Sequence, residues 1–141
     1  MASAQLKQIL AGIDLFAGLR PDAISQIAES GSNFRTGPGG HVITEGAQES
    51  GLRVVLAGSA SVVVGGEERG QIGVGDYVGE LSMIDGAPRS ATITAGPEGV
   101  ETFALSPMAF MPLVRGDAEI ATALLKTLVA RLRKVEAAAH N

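Results

Sequence analysis

Gly79-Glu80-Leu81-Ser82 and Pro88-Arg89-Ser90-Ala91-Thr92 hold the residues of this chain whose types and spacing could do chemistry together. Gly79 to Ile84 lacks the period-two alternation of its surroundings and reads as one or two helical turns. Asp85-Gly86 ends it, and Pro88 biases Ala87 towards an extended conformation that returns the chain to a strand. The first amides of a helix have no internal partner and carry the positive end of its dipole, so they favour anions. Gly79 lets a ligand come close to the backbone. If a strand runs from Arg89, that residue shares parity with Ala91 and Ile93 and points inward. A guanidinium turned into a protein needs an anion, and its planar fork suits phosphate. Glu80 could accept hydrogen bonds from hydroxyls such as those of a ribose. Fork, amides and acceptor together describe a site for a sugar phosphate.

The flanking sequence must position these groups. Residues 4–11 read as a short helix and Asp14 to Leu19 as a connector. Pro21 opens a second helix with Ile24, Ile27 and Ala28 on its apolar face, and Gly31 stops it. Phe34 to Phe103 reads as β structure. His41 to Thr44 is a short strand closed by Glu45-Gly46, and His41 is expected to be structural. Leu52 to Leu56 and Ala60 to Val64 read as a hairpin around Gly58, with a further turn at Gly65-Gly66. Pro97 and Gly99 suggest a turn before a last strand, Val100 to Leu105. Ser106 could cap a helix that has Pro107 at its first position. A long helix follows from Asp117 to about Ala137. Ile120, Leu124, Leu128 and Val135 form its apolar stripe, widened by Leu125, Val129 and Leu132. The expected fold class is α+β: an antiparallel, jelly-roll-like β-roll with N-terminal helices, a short helix inside it and a long C-terminal helix. One domain is expected over 1–141, with N-terminal helices in 1–32, the roll in 33–105 and C-terminal helices in 106–141.

Composition narrows the function. The 19 glycines are about twice average usage and suit short strands joined by tight turns. The net charge of -4 disfavours a nucleic-acid partner. There are no cysteines, and the only histidines are His41 and His140, so neither a thiolate nor a multi-histidine metal site can be built. This weighs against a metal-dependent enzyme on a related roll. No cofactor is expected, and nothing resembles a nucleophile with its base. No apolar run is long enough to insert in a membrane, and no signal pattern opens the chain, so a cytoplasmic setting is expected. Gly73-Val74-Gly75 with Gly79 has the wrong spacing for a dinucleotide fingerprint.

The stretches 79–82 and 88–92 resemble the phosphate-binding cassette of cyclic-nucleotide-binding domains, here 79–92. That family includes catabolite activator proteins, protein kinase A regulatory subunits and cyclic-nucleotide-gated channels. Leu15-Phe16-Ala17-Gly18-Leu19, Glu45-Gly46, Gly58 and Gly75-Asp76-Tyr77-Val78-Gly79-Glu80 follow the family's order, and the bacterial channel domains look most similar. The resemblance implies a non-catalytic sensor of cAMP or cGMP, with Ser90 in place of a threonine leaning towards cAMP. It implies that Arg89 pairs with the cyclic phosphate and Glu80 with the ribose 2′-hydroxyl. Amides around Gly79, Leu81, Ser82 and Ala91 would serve phosphate and sugar oxygens, and Ser90 would add a phosphate contact. The last helix would fold over the base as a lid, with Arg131 stacking on it. Plainer readings stand beside these. Glu80 and Arg89 could simply pair with each other, Arg131 could snorkel at the helix edge, and Tyr77 could line the pocket or belong to the core. Thr92 reads as an ordinary strand residue, and Arg133 and Lys134 as a solvated face. The alternative function is a scaffold of the same fold that binds a protein effector without nucleotide. The C-terminal helix could pack on its own roll or on a second copy in a homodimer. Transcription factors of the family carry a helix-turn-helix after that helix, and this chain ends at Asn141.

Overall fold

Ser3 accepts a hydrogen bond from the Leu6 amide and so caps α1 (Ala4–Gly12), which buries Leu6 and Leu10. A 3-10 turn, Asp14–Phe16, buries Leu15 and Phe16. Pro21 is the first residue of α2 (Pro21–Ser30), whose buried Ala23, Ile24, Ile27 and Ala28 form one face. The computed structural model describes residues 3–47 and 51–139. Six strands follow: β1 (Ser32–Thr36), β2 (His41–Ile43), β3 (Leu52–Val64), β4 (Glu67–Ile72), β5 (Tyr77–Val78) and β6 (Thr92–Leu105). The helix α3 (Glu80–Asp85) interrupts them between β5 and β6, and α4 (Pro107–Gly116) and α5 (Ala118–Ala139) close the chain. The fold is the expected antiparallel β-roll with helices.

β3 and β6 form the centre. β1 and β2 pair with β6, while β4 and β5 pair with β3, all antiparallel. Two sequence expectations fail here. Gly58 does not turn a hairpin, and Pro97–Gly99 does not separate two strands. β3 runs unbroken for 13 residues and β6 for 14. Gly58 and Gly99 both take φ +79 and lie against each other, and the register shifts between Val55 and Ala57 and between Gly58 and Ala60. A Cβ on Gly58 would overlap the Gly99 carbonyl oxygen. The glycines therefore bend two paired long strands instead of ending them. The true hairpin is β3–β4 at Gly65-Gly66, as read.

One core cluster lies inside the roll, around Val55, Ile93 and Val100. A second joins the roll to the helices. It includes Leu10, Phe16, Val54, Met83, Phe103, Phe110 and Ile120. The Phe16 and Phe110 rings lie 6.2 Å apart, fixing the 3-10 turn to α4. Ser106 caps α4 as expected, accepting from the Ala109 amide at 3.2 Å. The long helix begins at Ala118 and runs to Ala139. Its apolar stripe is only partly used. Ile120 and Leu124 are buried and Leu128 packs on the core, but Leu125, Val129, Leu132 and Val135 are about half or more exposed. Apolar residues on more than one face of a helix cannot all meet one roll. Arg20 fixes the base of α5. Its guanidinium bonds Asp117, Glu119 (3.0 Å) and Asp22 (2.7 Å), and Asp117 accepts from the Glu119 amide. Among the described residues no helix is long and apolar enough to cross a membrane, and no group of acidic or histidine side chains could hold a metal ion. His140 lies outside the described residues; His41 opens β2.

Candidate functional site

Gly79 ends β5 and caps α3 in the left-handed region, at φ 84 and ψ 9. Gly86 does the same at the other end, at φ 72, its amide donating to the Ser82 carbonyl. Two glycines of this kind let a helix of six residues sit inside a β-roll. The Ser82 hydroxyl donates to the Gly79 carbonyl at 3.1 Å and is itself buried.

Arg89 is 9% exposed, although it does not lie in a strand. The strand begins at Thr92, so parity does not aim the side chain. Instead, Arg89 Nη1 donates to the Gly51 carbonyl at 2.6 Å and to Ser82 Oγ at 2.9 Å. The Arg89 amide donates to the Ala47 carbonyl, and its own carbonyl accepts from Gly46. These bonds hold the guanidinium under α3 and against Gly79.

A cavity of about 400 Å³ opens at this point, within the range of small-molecule sites. Ile43, Val62, Val78 and Ile93 make an apolar wall. Gly79, Glu80, Leu81, Ser82, Arg89, Ser90, Ala91 and Tyr77 line the rest. The structure thus gathers residues 79–82 and 88–91 of the two stretches singled out in the sequence around one cavity, with Thr92 outside its lining. Tyr77 does both things considered for it, lining the cavity and packing on the core. Thr92 is a strand residue whose hydroxyl accepts from the Glu45 amide.

Glu80 Oε1 is 3.1 Å from Arg131 Nη1. Arg131 lines the adjoining groove between the 3-10 turn and α5, and reaches the cavity through Glu80. Its guanidinium lies 5.3 Å from the Tyr77 ring centre, and Nη2 is 3.3 Å from Asp14. Arg131 therefore ties the long helix to the cassette and does not merely snorkel. Asp14 and Gly51 were missed in the sequence. Neither sits in a motif, and both reach the site only through chain reversal.

Burial pushes the Glu80 carboxyl above the ordinary carboxylate range. A hydrogen bond from its own backbone opposes this, and the Asp14 charge reinforces it. A raised carboxyl holds its proton more tightly folded than unfolded. Its contribution to stability is therefore present at acid pH and lost as pH rises through the elevated value. Glu80→Gln resembles the protonated form, so it should melt no lower than wild type at pH 7. Thermal melts at pH 5 and 7 check this. A markedly lower melting temperature at pH 7 would mean that the ion pair with Arg131 outweighs the burial cost.

The family model described as a cyclic nucleotide-binding domain matches residues 35–117, more than half of the chain. The chain belongs to the cyclic nucleotide-binding domain family. Over 124 residues, 88% of its length, this domain is 33% identical to a cyclic nucleotide-gated potassium channel, mll3241, of Mesorhizobium japonicum. It spans 34% of that channel. Its fold matches the N-terminal domain of a transcriptional regulator from Streptomyces coelicolor, with a TM-score of 0.83, 30% identity and coverage of 92% of this chain and 94% of that one. It also matches the regulatory domain of Toxoplasma gondii PKA solved with cAMP, with a TM-score of 0.69, 27% identity and coverage of 77% and 43%. The cyclic nucleotide-binding domain is thus one that recurs in regulatory proteins of different outputs, channels and regulators among them.

Proposed function

We propose that this domain is a non-catalytic sensor that binds a cyclic nucleotide, cAMP in preference to cGMP. The observation that carries the reading is the buried Arg89 at the polar end of a cavity whose other wall is apolar. A nucleoside phosphate has the same division of polarity. Arg89 takes the cyclic phosphate, with Ser90 and the amides of Gly79, Leu81, Ser82 and Ala91 around it. Glu80 accepts from the ribose 2′-hydroxyl. The base lies on the apolar wall beside Tyr77, and α5 moves over it, with Arg131 stacking on the purine. Binding shifts α5 towards the closed arrangement because the ligand contacts cassette and lid together. The preference for cAMP is supported by Ser90 and by the relative solved with that nucleotide. Calorimetry with both nucleotides tests the reading. Binding in the micromolar range or tighter, stronger for cAMP, is expected. No heat with either nucleotide well above micromolar concentration would overturn it.

A homodimer is the second part of the proposal. Leu125, Leu128, Leu132 and Val135 recur at spacings of three, four and three, the seam of a coiled coil. Three of them are more than half exposed. Sedimentation should show a dimer that Leu132→Glu dissociates. A wild-type monomer at tens of micromolar would exclude it.

A further inference from the structure

Asp14 belongs to neither the cassette nor the lid helix, yet it touches both sides of the cavity mouth. It sits on the 3-10 turn, and its carboxylate accepts from the Tyr77 hydroxyl and from Arg131 Nη2, the latter at 3.3 Å. Its backbone carbonyl accepts from Thr127 Oγ1 at 3.1 Å, one turn earlier on α5. Arg131 reaches the other way, to Glu80 on α3 and over the Tyr77 ring on β5. One guanidinium is thus shared between a carboxylate that lines the cavity and one that does not.

We propose that Asp14 is a positioning residue for the nucleotide: by holding Arg131 and Tyr77 together at the mouth, it ties the lid helix to the 3-10 turn and presets Arg131 for the ligand. The inference rests on the nucleotide reading above and goes beyond it, since it places a determinant of affinity outside the cavity. An exposed ion pair by itself contributes little. The weight here comes from the arginine. A free arginine side chain, with its many rotamers, has much conformational freedom to lose on being ordered. Asp14 and the Tyr77 ring keep it ordered at the part of α5 that the ligand draws in, even where Glu80 turns to the ligand, and preorganisation of this kind raises affinity without a new ligand contact. Through Phe16, which packs on Phe110, the same turn is anchored to α4. The turn therefore gives Asp14 a fixed base from which to hold α5.

The test is a double-mutant cycle on the 141-residue domain, with cAMP affinity read by calorimetry. Asp14→Asn keeps the shape of the side chain and an acceptor for Tyr77 but removes the charge. It should weaken cAMP binding about fivefold in the wild-type background and cause no further loss in the Arg131→Gln background. Asp14→Glu should recover part of the affinity. Hydrogen exchange on the free protein gives a second readout, in which Asp14→Asn should speed exchange in the 3-10 turn and in α5 around Thr127. Unchanged or tighter binding, or an equal loss in both backgrounds, would overturn the proposal. Wild-type protein that binds neither nucleotide would overturn the nucleotide reading itself. The exchange measurement then decides whether Asp14 holds α5 at all, and unchanged exchange would overturn that too.

Discussion

Arg89→Ala should weaken cyclic-nucleotide binding by roughly 100-fold or more, while the protein still folds. Removing one partner of a buried, hydrogen-bonded charge pair costs about 2–5 kcal/mol, and each 1.4 kcal/mol is tenfold in affinity. Arg89 is a strong case because it is 9% exposed and anchored by Gly51 and Ser82, so the free protein has already ordered it. The fold has less at stake. Alanine leaves the Gly51 carbonyl and Ser82 hydroxyl without this donor, a loss of about 1–3 kcal/mol. Arg89→Lys separates charge from geometry. It keeps a cation but loses the planar fork, and should fall between alanine and wild type. Calorimetry gives the affinities, and circular dichroism melts confirm that the variants are folded. An alanine variant that binds like wild type would remove Arg89 from the phosphate site.

Gly79→Ala should also impair binding severely, for a reason visible in the backbone. The residue sits at φ +84, where an L side chain costs about 1–2 kcal/mol. A Cβ would also overlap the Gly51 carbonyl oxygen and Arg89 Nη1, and stand 3.4 Å from the Gly51 carbonyl carbon. The backbone oxygen can yield only by moving the segment that holds Arg89. The cassette must therefore shift and Arg89 lose its place against the ligand, and binding should drop by about two orders of magnitude, the scale of losing a buried charged partner. Gly86→Ala is the control. It shares the positive φ, at +72, but nothing lies within 4 Å of its Cβ. It should pay only the conformational cost, lowering stability modestly and affinity by a few-fold. Equal affinities for the two variants would show that strain, not crowding against Gly51 and Arg89, sets the cost at Gly79.

Much of this was legible in the sequence because the signals are local. Pro21, Ser106-Pro107 and Gly86 act on backbone groups within a few residues of themselves, and each does in the structure what its type suggests. Period-two and period-3.6 patterns likewise marked the roll and the helices. Gly58 and Gly99 misled for the same reason. A glycine at positive φ reads as a turn locally, but two glycines brought into contact across paired strands make a bend, and that contact appears only once β3 and β6 are paired. The exposed half of the α5 stripe follows the same rule, since periodicity shows which residues share a face and not which faces find a partner.

Residue types and spacing by themselves determined the cassette: Gly79, Glu80, Ser82, Arg89 and Ser90, held in one short loop by turn chemistry. Tertiary structure alone decided what those groups touch. Arg89 is fixed by Gly51 and Ser82, and not by strand parity. Glu80 is tied to Arg131, and Arg131 to Asp14, 117 residues away in the chain. Contacts at that separation leave no local pattern, because what brings them together is the closure of the whole roll against its helices.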